Sequence, residues 1–187
     1  MLHDHRRPSV AELRSAAMAL TGHGWPVLRG TYRRHDDGLP EWVGRSDAVG
    51  LRPVDDDWPT TWTLRTVEVV RWWQREPYSV LVACGHGVDC VELPAPAGRQ
   101  ASALLRAAQL DPPAMVTPVE TVVLFVGTHR GQRPVVVSGS LRSAGSWVAI
   151  PPTDGYHWLR APGSVGWRLP ELRAVSNAVR AAAVGHT

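Results

Sequence analysis

The distribution of apolar and polar positions divides the chain into a few helices and a larger number of short strands. Between residues 9 and 21, Val10, Leu13, Ala17 and Leu20 recur at helical spacing. Ser9 with Glu12 forms a capping-box pair at the start of that run, and Gly22 and Gly24 end it. A short strand is expected at Trp25-Pro-Val-Leu28. A second helix is predicted over 66–75, with Val67, Val70 and Trp72 or Trp73 facing inward and Pro77 closing it. Two apolar runs, 79–84 and 88–93, read as strands around the tight turn Gly85-His86-Gly87. Pro94-Ala-Pro-Ala-Gly98 reads as a connector into a helix over 100–110, stopped by Pro112-Pro113. Strands are predicted at 114–117, 121–127, 134–138, 147–150 and 156–159, and a last helix from Pro170 to about Ala183 with Leu172, Val175 and Val179 on one face. Helices fall between and around the strands without strict alternation, so the expected class is α+β with a mixed central β-sheet flanked by helices. No internal repeat is visible.

Residues 30–62 interrupt this order. They form an irregular polar segment of Gly, Asp, Arg and Pro inside what otherwise reads as one domain over 1–187. Asp55-Asp56-Asp57 in that segment reads as a solvated turn, because adjacent residues point in different directions and divalent cations take spaced ligands. Trp42, Trp58 and Trp62 are the aromatics placed in polar surroundings, where base stacking or a partner surface is the reading. Trp25, Trp73 and Trp147 sit in apolar runs and read as core.

Composition narrows the classes. The 187 residues are 44% hydrophobic and 20% charged, ordinary values for a globular chain. No apolar run reaches the 18–20 or so residues that span a bilayer, and the first residues lack the apolar centre of a secretion signal. A cytoplasmic protein without a membrane role is expected. All 20 basic residues are arginine, which suits a GC-rich bacterial genome. A net charge of +3 with a pI near 9.4 permits a nucleic-acid surface without requiring one. Two cysteines, Cys84 and Cys90, make no disulfide framework and have no zinc-knuckle spacing, so they read as core.

Three separated strings carry a resemblance. Ala17-Met-Ala-Leu-Thr-Gly-His-Gly24-Trp25-Pro26-Val27 is similar to the opening helix and strand of the bifunctional DNA primase/polymerase (prim-pol) domain of the archaeo-eukaryotic primase superfamily. Val69-Val-Arg-Trp72-Trp73-Gln-Arg-Glu-Pro77 followed by Ser79-Val-Leu-Val-Ala-Cys-Gly85 resembles that family's tryptophan-bearing helix and following strand. Ser146-Trp-Val-Ala-Ile-Pro151-Pro152-Thr153, with Tyr156-His157-Trp158-Leu159 beyond, resembles its late strand and Pro-Pro turn. The order matches across roughly 10–160 and implies a prim-pol-like architecture with an RRM-like core.

The resemblance also implies a site. Such enzymes hold two divalent metals with an acidic-x-acidic pair on one strand and a third acid on a later strand, and a histidine between them contacts the triphosphate. Phosphoryl transfer between polyanions relies on those cations. Here Glu92 falls on the first acid, Pro94 on the second, Val123 on the histidine and Ser140, shortly before Arg142, on the third acid. One acid of three remains. Asp89 is three residues from Glu92 and is expected on the opposite strand face. Glu120, His129 and Asp154 stand outside the family's positions. The expectation is therefore a degenerate prim-pol domain with no metal and no resident cofactor, Glu92 being a vestige of the catalytic set. It is expected to bind nucleic acid or nucleotide through Arg142, His157 and Arg160. The family's nucleotide-proximal loop is resembled by Ser138-Gly-Ser-Leu-Arg142-Ser-Ala-Gly145. Two alternatives stay open: an active primase/polymerase with a displaced acidic set and Mg²⁺ or Mn²⁺, and a structural or regulatory domain that meets a protein partner through Trp42, Trp58 and Trp62. Without lysine there is no phosphate loop of the helicase type.

Overall fold

A computed structural model describes residues 7–34, 41–128 and 139–184. The expected strand at 134–138 and His129 lie outside the described residues. Helices and several antiparallel sheets make up the chain, the α+β class that the patterning predicts. It forms two compact units: Met1–Val82 with Ala149–Asp154, and Ala83–Val148 with Gly155–Thr187.

The first unit opens with α1 (Val10–Gly22). Its capping box is formed: the Ser9 hydroxyl accepts the Glu12 N–H at 3.2 Å, and Glu12 accepts the Ser9 N–H at 2.7 Å. Leu13, Ala17 and Leu20 bury one stripe of α1, which packs on β1 (Val27–Gly30) and on α3 (Thr66–Trp72). Between them the polar segment carries β2 (Tyr32–Arg34), β3 (Glu41–Val43) and a single-turn α2 (Trp58–Thr61), with β2 and β3 paired antiparallel. The segment is thus more regular than its composition suggests, because two short strands satisfy each other's backbone groups. In α3 the inward face differs from the expected one. Val69 and Trp73 are fully buried, while Val67 and Val70 are 58% and 37% exposed. Val69 and Trp73 lie four residues apart and share a face, and the Trp73 indole N–H donates to the Tyr78 carbonyl at 2.7 Å. β4 (Ser79–Ala83) pairs antiparallel with β1. On its other side Ile150 N–H donates to the Val80 carbonyl, and the Thr153 hydroxyl accepts the Val80 N–H at 2.9 Å.

The second unit holds β5 (Val88–Pro94), α4 (Ala95–Ala107), β6 (Ala114–Val116), β7 (Thr121–Gly127), β8 (Ser140–Arg142), the start of β9 (Trp147–Ala149), β10 (His157–Arg160) and α5 (Leu172–Val184). Five strands form one antiparallel sheet in the order β10-β6-β7-β5-β8. The strands at 79–84, 88–93, 121–127 and 147–150, expected to share one central sheet, are divided, since β4 and β9 belong to a different sheet from β5 and β7. Helix α4 starts five residues earlier than predicted. Pro94 caps it and Pro96 falls in the first turn, where the missing N–H costs no intrahelical bond. Gly98 then lets α4 sit close on β7; a Cβ there would lie 2.4 Å from the Val122 Cβ. Alternation along the strands sorts the two sheet faces. Val91, Leu93, Val122, Leu124 and Val126 turn to one side and form a core with Ala101 and Leu105 of α4 and Leu172, Val175, Val179 and Ala182 of α5. Each fully buried Val or Leu side chain among them contributes about 1.5–3 kcal/mol of transfer free energy. Cys90 and Glu92 turn to the opposite side.

Candidate functional site

The side of β5 opposite the core formed with α4 and α5 carries Glu92. Register fixes the neighbours. Glu92 stands opposite Val123 of β7 and opposite Ser140 of β8; Cys90 stands opposite Phe125 and Arg142; Pro94 stands opposite Thr121. The positions that the resemblance assigns to the first acid, the histidine and the third acid thus lie side by side on three adjacent strands. The residues there are Glu, Val and Ser.

Glu92 is held from both sides. One carboxylate oxygen accepts the Thr121 hydroxyl at 2.9 Å, and that hydroxyl is itself 2.7 Å from the Thr117 hydroxyl. The other oxygen accepts Arg142 Nε at 2.8 Å, and Arg142 Nη2 lies 2.7 Å from it as an ion pair. The side chain of Glu92 is 17% exposed and that of Arg142 is 43% exposed, so the carboxylate is the covered partner and the guanidinium the open one. Tyr156 lies close enough to sense both. Burial raises its phenol above the ordinary value, the Glu92 charge raises it further, and the Arg142 charge offsets part of that rise.

Beneath this pair the two thiols meet. Cys84 and Cys90 are free and buried. A hydrogen bond to Cys84, then burial, pushes the Cys90 thiol well up, which keeps it protonated and unreactive. Asp89 lies on the other strand face, as its spacing from Glu92 predicts, and is fully buried. It accepts Gly85 N–H at 2.8 Å and the Ser143 hydroxyl at 3.0 Å, binding the turn before β5 to the loop after β8. The φ of +92° at Gly85 and a Cβ position 2.5 Å from Ala144 Cα restrict that turn to glycine.

Of the four residues expected at a binding site, Glu92 and Arg142 come together and the other two do not join them. His157 is exposed and pairs with Val116, whose partner Val122 belongs to the helix-covered face. Arg160 is engaged within the fold rather than presented to a ligand: Nη1 donates to the Pro112 carbonyl at 2.7 Å, Nη2 to the Ser102 hydroxyl at 3.3 Å, and Nε lies 3.1 Å from Asp111. Its side chain is 9% exposed. Sequence reasoning missed Thr121, Thr117 and Tyr156; the pairing of Thr121 with Pro94 needs the strand register, which no local pattern discloses. Among the alternative ligands, Glu120 is exposed in the turn before β7 and Asp154 is exposed in the first unit's 149–154 segment. Trp42, Trp58 and Trp62 lie in the first unit, each half-buried, with the Arg33 guanidinium 5.0 Å above the Trp42 ring.

The family described as Prim-Pol, the N-terminal domain of bifunctional DNA primase/polymerases, matches residues 17–174. The chain belongs to that family and is a primase/polymerase-like domain. No curated protein matches it. Among the described residues no group of three or more His, Cys, Asp and Glu side chains is placed to hold a metal ion, and no helix is long and apolar enough to cross a membrane.

The family's two divalent cations do not fit the donors present. A pair of such ions needs several carboxylate oxygens at close range. Glu92 is flanked in register by Val123 and Ser140, Pro94 offers no ligand, and a guanidinium already sits on one of the two Glu92 oxygens.

Proposed function

We propose that this Prim-Pol domain has given up two-metal nucleotidyl transfer and serves as a binding module for phosphate-bearing ligands, a single-stranded nucleic acid or a nucleotide. One observation carries the reading: the Arg142 guanidinium lies 2.7 Å from Glu92, the residue that the resemblance aligns with the family's first metal-binding acid. Transfer between polyanions requires cations that bridge the attacking and leaving oxygens. A guanidinium supplies charge and hydrogen bonds but no open coordination position, so it supports binding and not that step. Ala144 and Gly145, which follow Arg142 at a distance of two and three residues, are small and exposed, which supports the approach of an anion.

The test is primer synthesis and primer extension with purified protein, template, nucleotides and either Mg²⁺ or Mn²⁺. The reading predicts no product above background. Product that Glu92→Ala abolishes would restore the active-enzyme alternative.

A further inference from the structure

The register around Glu92 fixes what a cation would find there. Directly opposed residues on antiparallel strands bring their Cβ atoms within about 4.5–5.5 Å. A carboxylate at position 140 would therefore share a cation with Glu92, and serine withdraws that second anionic ligand. Two residues along β8 and on the same face, Arg142 delivers Nε and Nη2 to a single Glu92 oxygen. A guanidinium has five donors in a rigid fork and keeps its charge across the working pH range. The covered carboxylate and the more open guanidinium give the pair a direction, with its positive member toward solvent.

Resting on the binding reading above, we infer that Arg142 is a resident replacement for the divalent cation, so that this face takes phosphate groups directly on the guanidinium and without metal. In the two-metal arrangement an ion mediates between carboxylate and phosphate. Here one side chain faces both, with Glu92 on one edge of its fork and the incoming phosphate on another. Among the described residues, added metal finds no second carboxylate grouped with Glu92, and it does not strengthen the complex.

The experiment is a fluorescence-anisotropy titration of the full chain with labelled oligothymidylate, in EDTA and in Mn²⁺, at about 50 mM salt where phosphate contacts are retained. A second arm adds an unlabelled nucleoside triphosphate as competitor. Wild-type affinity should agree between the two buffers within about twofold, well under the tenfold that 1.4 kcal/mol represents. Arg142→Gln should weaken binding by about tenfold or more, the loss expected for a charge-assisted hydrogen bond. Arg142→Lys keeps the charge beside Glu92, guards against a folding defect, and should retain part of the affinity. Ser140→Asp combined with Arg142→Gln restores a second carboxylate and removes the guanidinium, and should bind in Mn²⁺ but not in EDTA. Competition by the triphosphate assigns the site to nucleotides, and oligonucleotide binding without competition assigns it to the strand; either supports the inference. Wild-type binding that vanishes in EDTA, or an Arg142→Gln variant that binds normally, overturns it and leaves the binding reading standing. Absence of binding in both buffers overturns both and moves a protein partner to the front.

Discussion

Removing Arg142 should expose how much the fold depends on the cation at Glu92. Two unit charges about 4 Å apart attract by about 4 kcal/mol at an effective dielectric constant near 20, before desolvation is subtracted. Exposed ion pairs retain about 0.2–1 kcal/mol of that, whereas breaking a buried pair costs about 3–5 kcal/mol. With 17% and 43% exposure the Glu92–Arg142 pair lies between these limits. Because Thr121 still satisfies one carboxylate oxygen, Arg142→Ala should cost about 1–2 kcal/mol, toward the lower limit. Glu92→Gln removes the charge but keeps an acceptor, so its cost should be smaller, about 0.5–1 kcal/mol. In the double variant the neutral amide no longer needs a cation, and the combined loss should fall short of the sum by about 1 kcal/mol. Urea unfolding followed by circular dichroism gives all three values, and the coupling should shrink in concentrated salt because the guanidinium is partly exposed. A change on Arg142→Ala within about 0.5 kcal/mol, the scatter of ordinary surface substitutions, would refute the claim that Arg142 holds the carboxylate.

Two further outcomes test neighbouring parts of the second unit. Gly98→Ala should lower the thermal midpoint by several degrees: helix propensity favours alanine by about 1 kcal/mol, but a Cβ placed 2.4 Å from Val122 Cβ forces a shift costing about 1–3 kcal/mol. A raised midpoint would mean that α4 does not sit on β7 as described. The Cys90 thiol, raised by its bond to Cys84 and by burial, and the Tyr156 phenol, raised by burial and by Glu92, are both favoured in their protonated forms by folding. Their contributions are complete below the unfolded values of about 8.5 and 10 and are lost as pH rises through the folded ones. Urea stability should therefore decline from about pH 8.5 upward, with a shallower decline in Cys90→Ala and in Tyr156→Phe at the higher end; identical slopes in wild type and variants would contradict the assignment.

Elements with continuous apolar runs were legible in the sequence and elements with mixed runs were not. β7 lies in the middle of a sheet and is an apolar run from Val122 to Val126, and β5 beside it keeps Val88, Cys90, Val91 and Leu93 between two acids, so their limits matched within a residue or two. β8 is three residues, Ser140-Leu-Arg142, one of them apolar, and reads locally as a loop; only its ladder with β5 makes it a strand. The phase of α3 is not legible in the sequence because the helix spans under two turns and bears apolar residues all round, leaving the Trp73–Tyr78 hydrogen bond to set which side turns inward. At the site, the departures at Pro94, Val123 and Ser140 were readable from the family pattern. That Arg142 closes on Glu92 was not, because it depends on two strands 50 residues apart meeting in register. Arg160 illustrates the converse. An arginine after a Pro-Pro turn suggests an anion contact, but local sequence says nothing of a carbonyl at Pro112 that receives it.

The central claim is that a guanidinium occupies the place of the family's metals. A crystal structure of the chain soaked with Mn²⁺ and a non-hydrolysable nucleoside triphosphate, read by anomalous scattering, tests it most directly. The account predicts no manganese peak at Glu92, Arg142 Nη2 still in contact with the carboxylate, and any bound phosphate against the guanidinium. Manganese coordinated by Glu92 with Arg142 swung away would contradict it.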